Sequence, residues 1–166
     1  MRHRIGAVAA IIGGTLRAAA SFAPALIQSD LSRETLYVAV DVCLAAGLLG
    51  MCSRRTERLG WWGLVGLTLA LAGIATIRAN RLISLADLYP AGALAVSSGV
   101  VIFSVRAWLV NQIRGWVPAV FMLSTLLGLV GGTVQGAGVL FVWSGVMFGA
   151  AFAGLGAETW MSISNS

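Results

Sequence analysis

The stretch GWWGLVGLTLALAGIATI, residues 60–77, carries no charged side chain and lies between Arg58 and Arg78. A helix that crosses the hydrocarbon core of a bilayer needs roughly 20 mostly apolar residues. The stretch is close to that length and carries no charge, so it predicts a membrane-spanning helix. The whole chain agrees, because 58% of its 166 residues are hydrophobic and only 10% are charged. A water-soluble domain of this size could not bury that much apolar surface.

Further apolar segments lie on both sides of residues 60–77. Charge clusters and Gly, Pro and Asn turns divide the chain into six predicted transmembrane helices, at residues 5–27, 35–53, 60–79, 88–107, 115–134 and 137–157. Pro90 and Pro118 fall in first helical turns, where a missing N–H costs nothing. TVQGAG, residues 133–138, predicts a tight reversal. We expect an all-α polytopic membrane protein with a single transmembrane domain over residues 1–166.

The arginines predict the orientation of these helices. If the N-terminus is cytoplasmic, the outer side carries Arg33, Arg78 and Arg81, whereas the inner side carries Arg2, Arg4, Arg54, Arg55, Arg58, Arg106 and Arg114. Because cytoplasmic loops carry the excess of basic residues, both termini are expected inside, in a bacterial cytoplasmic membrane. The aromatic residues agree, since rings prefer the two interfaces: Tyr37 and Tyr89 lie at the outer boundary, and Trp61, Trp62, Trp108, Trp116 and Trp160 at the inner one.

The N-terminus has a second interpretation. MRHRIGAVAAIIGG, residues 1–14, followed by AAASFAPA, residues 18–25, also has the pattern of a signal peptide with a cleavage site after Ala23. Arg17 interrupts the apolar part of that pattern, and Pro24 would follow the cut. A first transmembrane helix is therefore the favoured interpretation.

Self-comparison indicates an internal repeat. LYVAVDVCLAAG (36–47) is similar to LYPAGALAVSSG (88–99), and AGALAVSSGVVIF (91–103) to AGVLFVWSGVMFG (137–149); the pair Gly60-Trp61 recurs as Gly115-Trp116. The predicted unit is a helical hairpin used three times, over residues 5–53, 60–107 and 115–157. The alternative is chance similarity, because Ala, Gly, Val and Leu match one another often in such a composition.

Small residues that let helices approach closely mark contact faces inside lipid. Gly128, Gly132 and Gly136 are spaced by four residues, and so are Gly145 and Gly149. We predict that these two stripes face each other within the last hairpin and serve helix packing.

Arg17 and Asp41 are the charges predicted to lie deepest in the membrane. Arg17 is about 18 Å from the inner edge of the first helix, and Asp41 is about 9 Å from the outer edge of the second, in a core about 30 Å thick. An unpaired arginine at mid-membrane costs about 2.5–3.5 kcal/mol on insertion scales. We therefore predict that Arg17 and Asp41 form a buried ion pair, which is either a structural clasp or a site for substrate or protons.

The remaining polar residues indicate less. The charged outer residues are expected to form a solvated rim, which comprises Asp30, Arg33, Glu34, Arg78, Arg81 and Asp87. A polar seam could include Ser97, Ser98, Ser124, Thr125, Gln135 and Ser144, although such hydroxyls usually bond a carbonyl of their own helix. No nucleophile with a partner base is evident, so no catalytic residue is assigned.

Cofactors and nucleic acid are not expected. Cys43 and Cys52 lie about 13 Å apart along one predicted helix, too far for a disulfide. His3 is the only histidine, which leaves no metal-ligand cluster. The net charge of +5 comes from arginines that stand singly between apolar runs, which is not the stripe of a nucleic-acid surface.

The three hairpins, the Gly-Trp openings and a Ser-Gly-Val step in the returning helices (residues 98–100 and 144–146) make the chain similar to the small six-helix membrane proteins of the HdeD acid-resistance type. The first hairpin departs from that pattern, because it lacks the step and carries Arg17 and Asp41. The resemblance implies a non-enzymatic inner-membrane protein linked to stress tolerance.

Two functional hypotheses follow. The first is a non-catalytic structural, accessory or stress-response protein of the lipid bilayer, with a membrane-protein partner or as a homo-oligomer. The second is a transporter or substrate-binding subunit for a small solute, in which Arg17 attracts an anionic group and Asp41 orients it. The surroundings of Arg17 discriminate between them, since a dry contact with Asp41 favours the first and a cavity favours the second.

Overall fold

The computed structural model describes the backbone of residues 2–82 and 88–164, and the side chains of residues 4–52, 58–80 and 88–162. Every regular element in these residues is an α-helix, so the predicted all-α class is confirmed. The helices are α1 (Arg2–Ala20), α2 (Ala23–Leu26), α3 (Asp30–Leu82), α4 (Tyr89–Leu109), α5 (Trp116–Thr133) and α6 (Gly138–Ser164). The side chains of Arg2, His3, Arg54, Arg55, Arg81 and Asp87, used in the predictions above, lie outside the described residues.

The long helix α3 consists of two segments that fold back on each other at Gly60. Gly60 has φ 60° and ψ −165°, a non-helical conformation that glycine adopts without strain. Asp41 and Arg78, which are 37 residues apart, nevertheless pair with each other; a straight helix would separate them by about 55 Å. We call residues 30–59 α3a and residues 61–82 α3b. The break predicted between residues 53 and 60 exists. The backbone stays helical up to residue 59, and the chain reverses at Gly60 without a loop.

The ends of the other helices follow local signals. α4 begins at Tyr89 with Pro90 in its first positions, and Pro118 lies in the first turn of α5, which begins at Trp116. Gly136, with φ 86°, makes the predicted turn between α5 and α6. The first helix is shorter than predicted, because α1 ends at Ala20 and the separate short helix α2 begins at Ala23, with Pro24 in its first turn.

Five helical stretches in the described residues are long and apolar enough to cross a membrane. They are Asp30–Cys52, Arg58–Asn80, Tyr89–Leu109, Trp116–Thr133 and Gly138–Ser162. Large apolar side chains project outward along them, among them Leu31, Val42, Leu126 and Val139. These features are expected of an integral membrane protein, whose outer surface meets lipid. α1 is not among the five stretches, although it packs into the bundle.

The helices form a ring of neighbours. α1 packs on α3a and on α6, α6 packs on α5, α5 packs on α4, and α4 packs on α3b. The ion pair of Asp41 with Arg78 joins α3a to α3b and completes the ring. Within the ring, α4 and α5 share fewer contacts than any other pair of long helices that pack side by side.

The two ends of the bundle differ in their aromatic residues. We call one the tryptophan end, which presents partly exposed Trp61, Trp62, Trp108, Trp116 and Trp160. The other is the tyrosine end, with Tyr37 and Tyr89. At the tryptophan end the Arg4 guanidinium lies 5.8 Å from the centre of the Trp160 ring, and the Trp116 Nε1–H donates to the Glu158 carboxylate at 3.4 Å. Amphipathic rings at one level are typical of a membrane interface.

The bundle is densely packed toward the tryptophan end. Fully buried side chains fill it, including Leu48, Met51, Leu59, Val117 and Leu155. Phe121 and Phe152 meet edge to face with ring centres 6.4 Å apart, a favoured aromatic geometry. No comparable set of fully buried large side chains occupies the described residues of the tyrosine half, where the bundle is hollow.

Close helix contacts differ from the predicted glycine stripes. An added Cβ at Gly145 would meet Ser21, and one at Gly149 would lie 2.6 Å from the Ala18 nitrogen, so both glycines face α1 rather than α5. Gly128 alone of its stripe touches α6, at the Ser144 hydroxyl. Gly132 has nothing within 4 Å, and Gly136 lies beyond the end of α5 with open space around it. The two stripes therefore do not face each other along their length: Gly145 and Gly149 face α1, and only Gly128 of the α5 stripe faces α6.

Candidate functional site

Asp41 on α3a pairs with Arg78 on α3b. The Arg78 Nε and NH2 groups both donate to Asp41 Oδ2, while its NH1 group donates to Glu34 Oε1 at 2.8 Å. The three side chains are between 19% and 32% exposed. One guanidinium thus bridges two carboxylates, an arrangement for which its planar fork of donors is suited. We call Glu34, Asp41 and Arg78 the clasp.

The clasp changes the predicted partner of Asp41. The described residues show no ion pair between Asp41 and Arg17, although the two charges lie close enough to act on each other electrostatically. Arg78 pairs with Asp41 because α3b folds back directly against α3a, the segment that carries Asp41. Arg17 comes from a different helix, α1. Arg78 was expected on the solvated rim, but it lies within α3b and its guanidinium turns inward.

Sequence signals for the clasp exist in retrospect. Glu34 and Asp41 are seven residues apart, which places them on the same side of α3a two turns apart. Arg78 lies almost as far after Gly60 as Asp41 lies before it, so a reversal at Gly60 brings the two to the same level. The prediction missed this because Arg78 falls at the edge of its apolar segment.

Arg17 lies on the wall of a central cavity of about 420 Å³. This volume falls within the range of about 300–1,000 Å³ that is typical of small-molecule sites. All the long helices contribute to the wall, which is mostly apolar. Its polar members are Arg17, Asp41, Tyr89, Ser97, Ser124, Thr125, Thr133 and Ser144.

A second cavity of about 380 Å³ lies at the tyrosine end. Its wall includes Ser21, Pro24, Tyr37, Arg78 and Asn80. Both cavities are lined by Arg17, Asp41, Ile77, Tyr89 and Phe141. Arg17 and the edge of the clasp therefore lie at the junction between an end cavity and the central one.

The Arg17 guanidinium has N–H donors without an acceptor among the described residues. In the described part of the chain it makes no ion pair and donates no hydrogen bond, although its backbone carbonyl accepts from the Ser21 hydroxyl at 3.3 Å. Guanidinium carries five N–H donors and keeps its positive charge at any ordinary pH. Arg17 is only partly buried, so water or a ligand in the cavity can accept these donors.

The hydroxyl groups around the central cavity are mostly used within the protein. Ser124 Oγ donates to the Ser144 carbonyl at 2.9 Å, and Ser144 Oγ donates to the Ser124 carbonyl at 2.8 Å, which ties α5 to α6. Thr125 bonds the Phe121 carbonyl of its own helix at 2.9 Å. Arg17 is thus the strongest unsatisfied donor on the cavity wall.

Other candidate chemistry is sparse in the described residues. No group of three or more His, Cys, Asp or Glu side chains that could hold a metal ion occurs among them. Cys43 is partly buried and Cys52 is buried, and the two are not joined in a disulfide. Comparison with protein-family models, with curated proteins and with solved structures found no match to this chain.

Proposed function

We propose that the protein binds a small solute with an anionic group in its central cavity, with Arg17 as the anion contact. The observation that carries this proposal is the position of Arg17, on a cavity wall, with none of its donors taken by a described residue. A cationic group of this kind in a membrane interior is costly unless it is used or compensated. The chain is then a binding or transport subunit rather than an enzyme.

The clasp supports different roles for the two arginines, helix packing for Arg78 and solute binding for Arg17. Arg78 neutralises much of the charge of Asp41 and Glu34 and fixes α3b against α3a. Arg17 is therefore not required to hold the helices together, and its charge is available to a solute. Asp41 borders the same cavity and would disfavour a second negative charge, so the preferred solute is a monoanion.

The proposal includes the membrane arrangement. We propose six spans as three repeated hairpins, with α1 as the first span and both termini in the cytoplasm of a bacterial cell. The arginine excess at the tryptophan end supports this orientation. A crossing by α1 is supported by its close packing along α3a and α6, which are both membrane-length.

A structural role is the second candidate. The clasp and the close contacts of α1 with α6 favour a rigid bundle that serves as an accessory or stress-response protein, as the resemblance to the HdeD type implies. Such a protein would act through a membrane partner or a second copy. It would not need a cavity with an unsatisfied guanidinium, which is why the binding role is preferred.

The test compares an anion with its neutral counterpart. Purified protein in detergent is titrated with octanoate and with octanamide, and the midpoint of thermal unfolding is followed. Charge-assisted hydrogen bonds contribute about 1.5–3 kcal/mol each, so Arg17→Gln should weaken octanoate binding by about 10-fold to 100-fold. Octanamide should bind weakly to both proteins.

The matched control is Arg114→Gln. Arg114 is 75% exposed and meets Glu158 at a distance of 3.4 Å, far from the cavity wall. This variant should bind octanoate as the parent protein does. Equal octanoate affinity in Arg17→Gln and the parent protein would contradict the binding role and leave the structural candidate.

A further inference from the structure

The charged groups of the central cavity lie at one place, and most of the remaining wall is apolar. Arg17 and Asp41 lie where it meets the end cavity, while Leu44, Ile74, Val96 and Phe148 line the remainder. A compact hydrophilic anion would satisfy Arg17 but leave this apolar wall against water. A molecule with an anionic head and an apolar chain would satisfy both parts.

Of the helix pairs α1–α6, α3–α4, α4–α5 and α5–α6, the least extensive contact is that between α4 and α5. Near the tryptophan end Ala107, Ile113 and Val117 are buried, whereas toward the tyrosine end residues of both helices line the cavity. There Leu94 of α4 and Leu129 of α5 line the cavity and are 44% and 41% exposed. Gly132, on the same edge, has nothing within 4 Å of an added Cβ.

A passage between α4 and α5 would face the side of the bundle that meets lipid. Both α4 and α5 are membrane-length helices, and the exposed leucines beside this passage belong to their apolar surfaces. A water-soluble solute would have to enter the apolar part of the bilayer to use this route, which costs free energy. Molecules dissolved in the bilayer would meet the passage directly.

We infer that the ligand is a single-chain anionic amphiphile of the fatty-acid class, which enters from the bilayer between α4 and α5 and places its head at Arg17. This inference rests on the proposed binding function and specifies its ligand. The volume of about 420 Å³ lies near the lower end of the range for small-molecule sites, about 300–1,000 Å³, which suits one acyl chain.

The experiment uses photolabelling in lipid nanodiscs. A hexadecanoate analogue with a diazirine on its chain is added to the full chain, and labelled peptides are mapped by mass spectrometry. We expect labelling on the α4 and α5 residues that line the cavity. Excess hexadecanoate should compete, whereas hexadecanol, which has the same chain but no charge, should not.

Two glycines provide a matched pair of variants for the passage. Gly132 borders the cavity and Gly138 does not, yet both are exposed and an added Cβ at either meets nothing within 4 Å. Gly132→Phe should fill the passage and lower labelling about tenfold, whereas Gly138→Phe should leave it unchanged. Leu94→Trp narrows the passage from the α4 side and provides a second, independent obstruction.

The possible results distinguish an error in the class of ligand from an error in the proposed anion binding. If octanoate binds through Arg17 but hexadecanoate at equal total concentration gains nothing over it, and Gly132→Phe changes nothing, the inference fails and the binding role stands. If neither carboxylate depends on Arg17, both fail. Light scattering that shows a dimer dissociated by Gly132→Phe would also overturn the inference, because a second copy would then cover the passage.

Discussion

At the scale of single residues, two arginines at the same level of the bundle have different surroundings. Arg78 meets two carboxylates, and its three nitrogens all have acceptors. Arg17 shares the field of Asp41 but has no acceptor among the described residues. Breaking a partly buried ion pair leaves an uncompensated charge, so Arg78 is expected to matter for stability and Arg17 for binding.

A double-mutant cycle checks this assignment. Asp41→Asn, Arg78→Gln and the double variant are compared by the free energy of unfolding in detergent. Because the two side chains bond directly, the expected coupling is about 0.5–3 kcal/mol. The control cycle pairs Asp41→Asn with Arg17→Gln and should give a smaller coupling. A larger coupling in the control cycle would reverse the roles of the two arginines.

The sequence predicted that Asp41 needs a cation, and it identified Arg17 as a cation within the membrane. It could not identify which arginine binds Asp41, because that depends on how tightly the chain reverses at Gly60. Depth along a helix can be counted in residues, but the direction in which a side chain turns depends on its neighbours. The cavity beside Arg17 was likewise not predictable, since its wall is built from side chains of all the long helices.

At the scale of elements, α1 is held by close backbone contact with α6. An added Cβ at Gly14 would lie 2.5 Å from the Gly149 carbonyl oxygen, and one at Gly149 would lie 2.9 Å from Ala18 Cβ. Such contacts are the means by which helices gain dispersion energy inside lipid, where apolar burial gains little. The glycine pattern predicted contact faces of this kind, but α6 has neighbours on two sides and spacing alone does not distinguish them.

Substitution of two glycines by alanine tests the contact between α1 and α6. Gly149→Ala inserts a methyl group where the backbone of α1 already lies, and overpacking costs about 1–3 kcal/mol. Gly132→Ala meets nothing within 4 Å and should leave stability unchanged or raise it by up to about 1 kcal/mol. Thermal unfolding in detergent measures both. Equal effects would show that α1 and α6 do not approach as described.

At the scale of the whole molecule, the bundle is packed at the tryptophan end and hollow at the tyrosine end. Composition predicted the membrane class and the approximate positions of the five membrane-length helices, because lipid imposes length and apolarity on any helix that crosses it. It did not predict the ring order of the helices or the hollow half. Those depend on which small and large side chains meet across helices that are distant in sequence.

Thiol labelling in intact cells tests the six-span arrangement. In a variant with Cys43 and Cys52 replaced by alanine, single cysteines are placed at Ser29, at Arg114 and in a tag before Met1. A membrane-impermeant reagent should label Ser29→Cys from outside, while Arg114→Cys and the tag should react only after lysis. A tag that reacts on the same side as Ser29→Cys would show that α1 does not cross.

Entry between α4 and α5 would make the occupancy of the site at Arg17 depend on the concentration of ligand in the bilayer. A compound that reaches Arg17 by this route must first dissolve among the acyl chains, and each added methylene favours that transfer by about 0.8 kcal/mol. Its relevant concentration is the number of molecules per lipid rather than per litre. Diluting a membrane suspension with buffer would then hardly empty the site, whereas adding empty vesicles would.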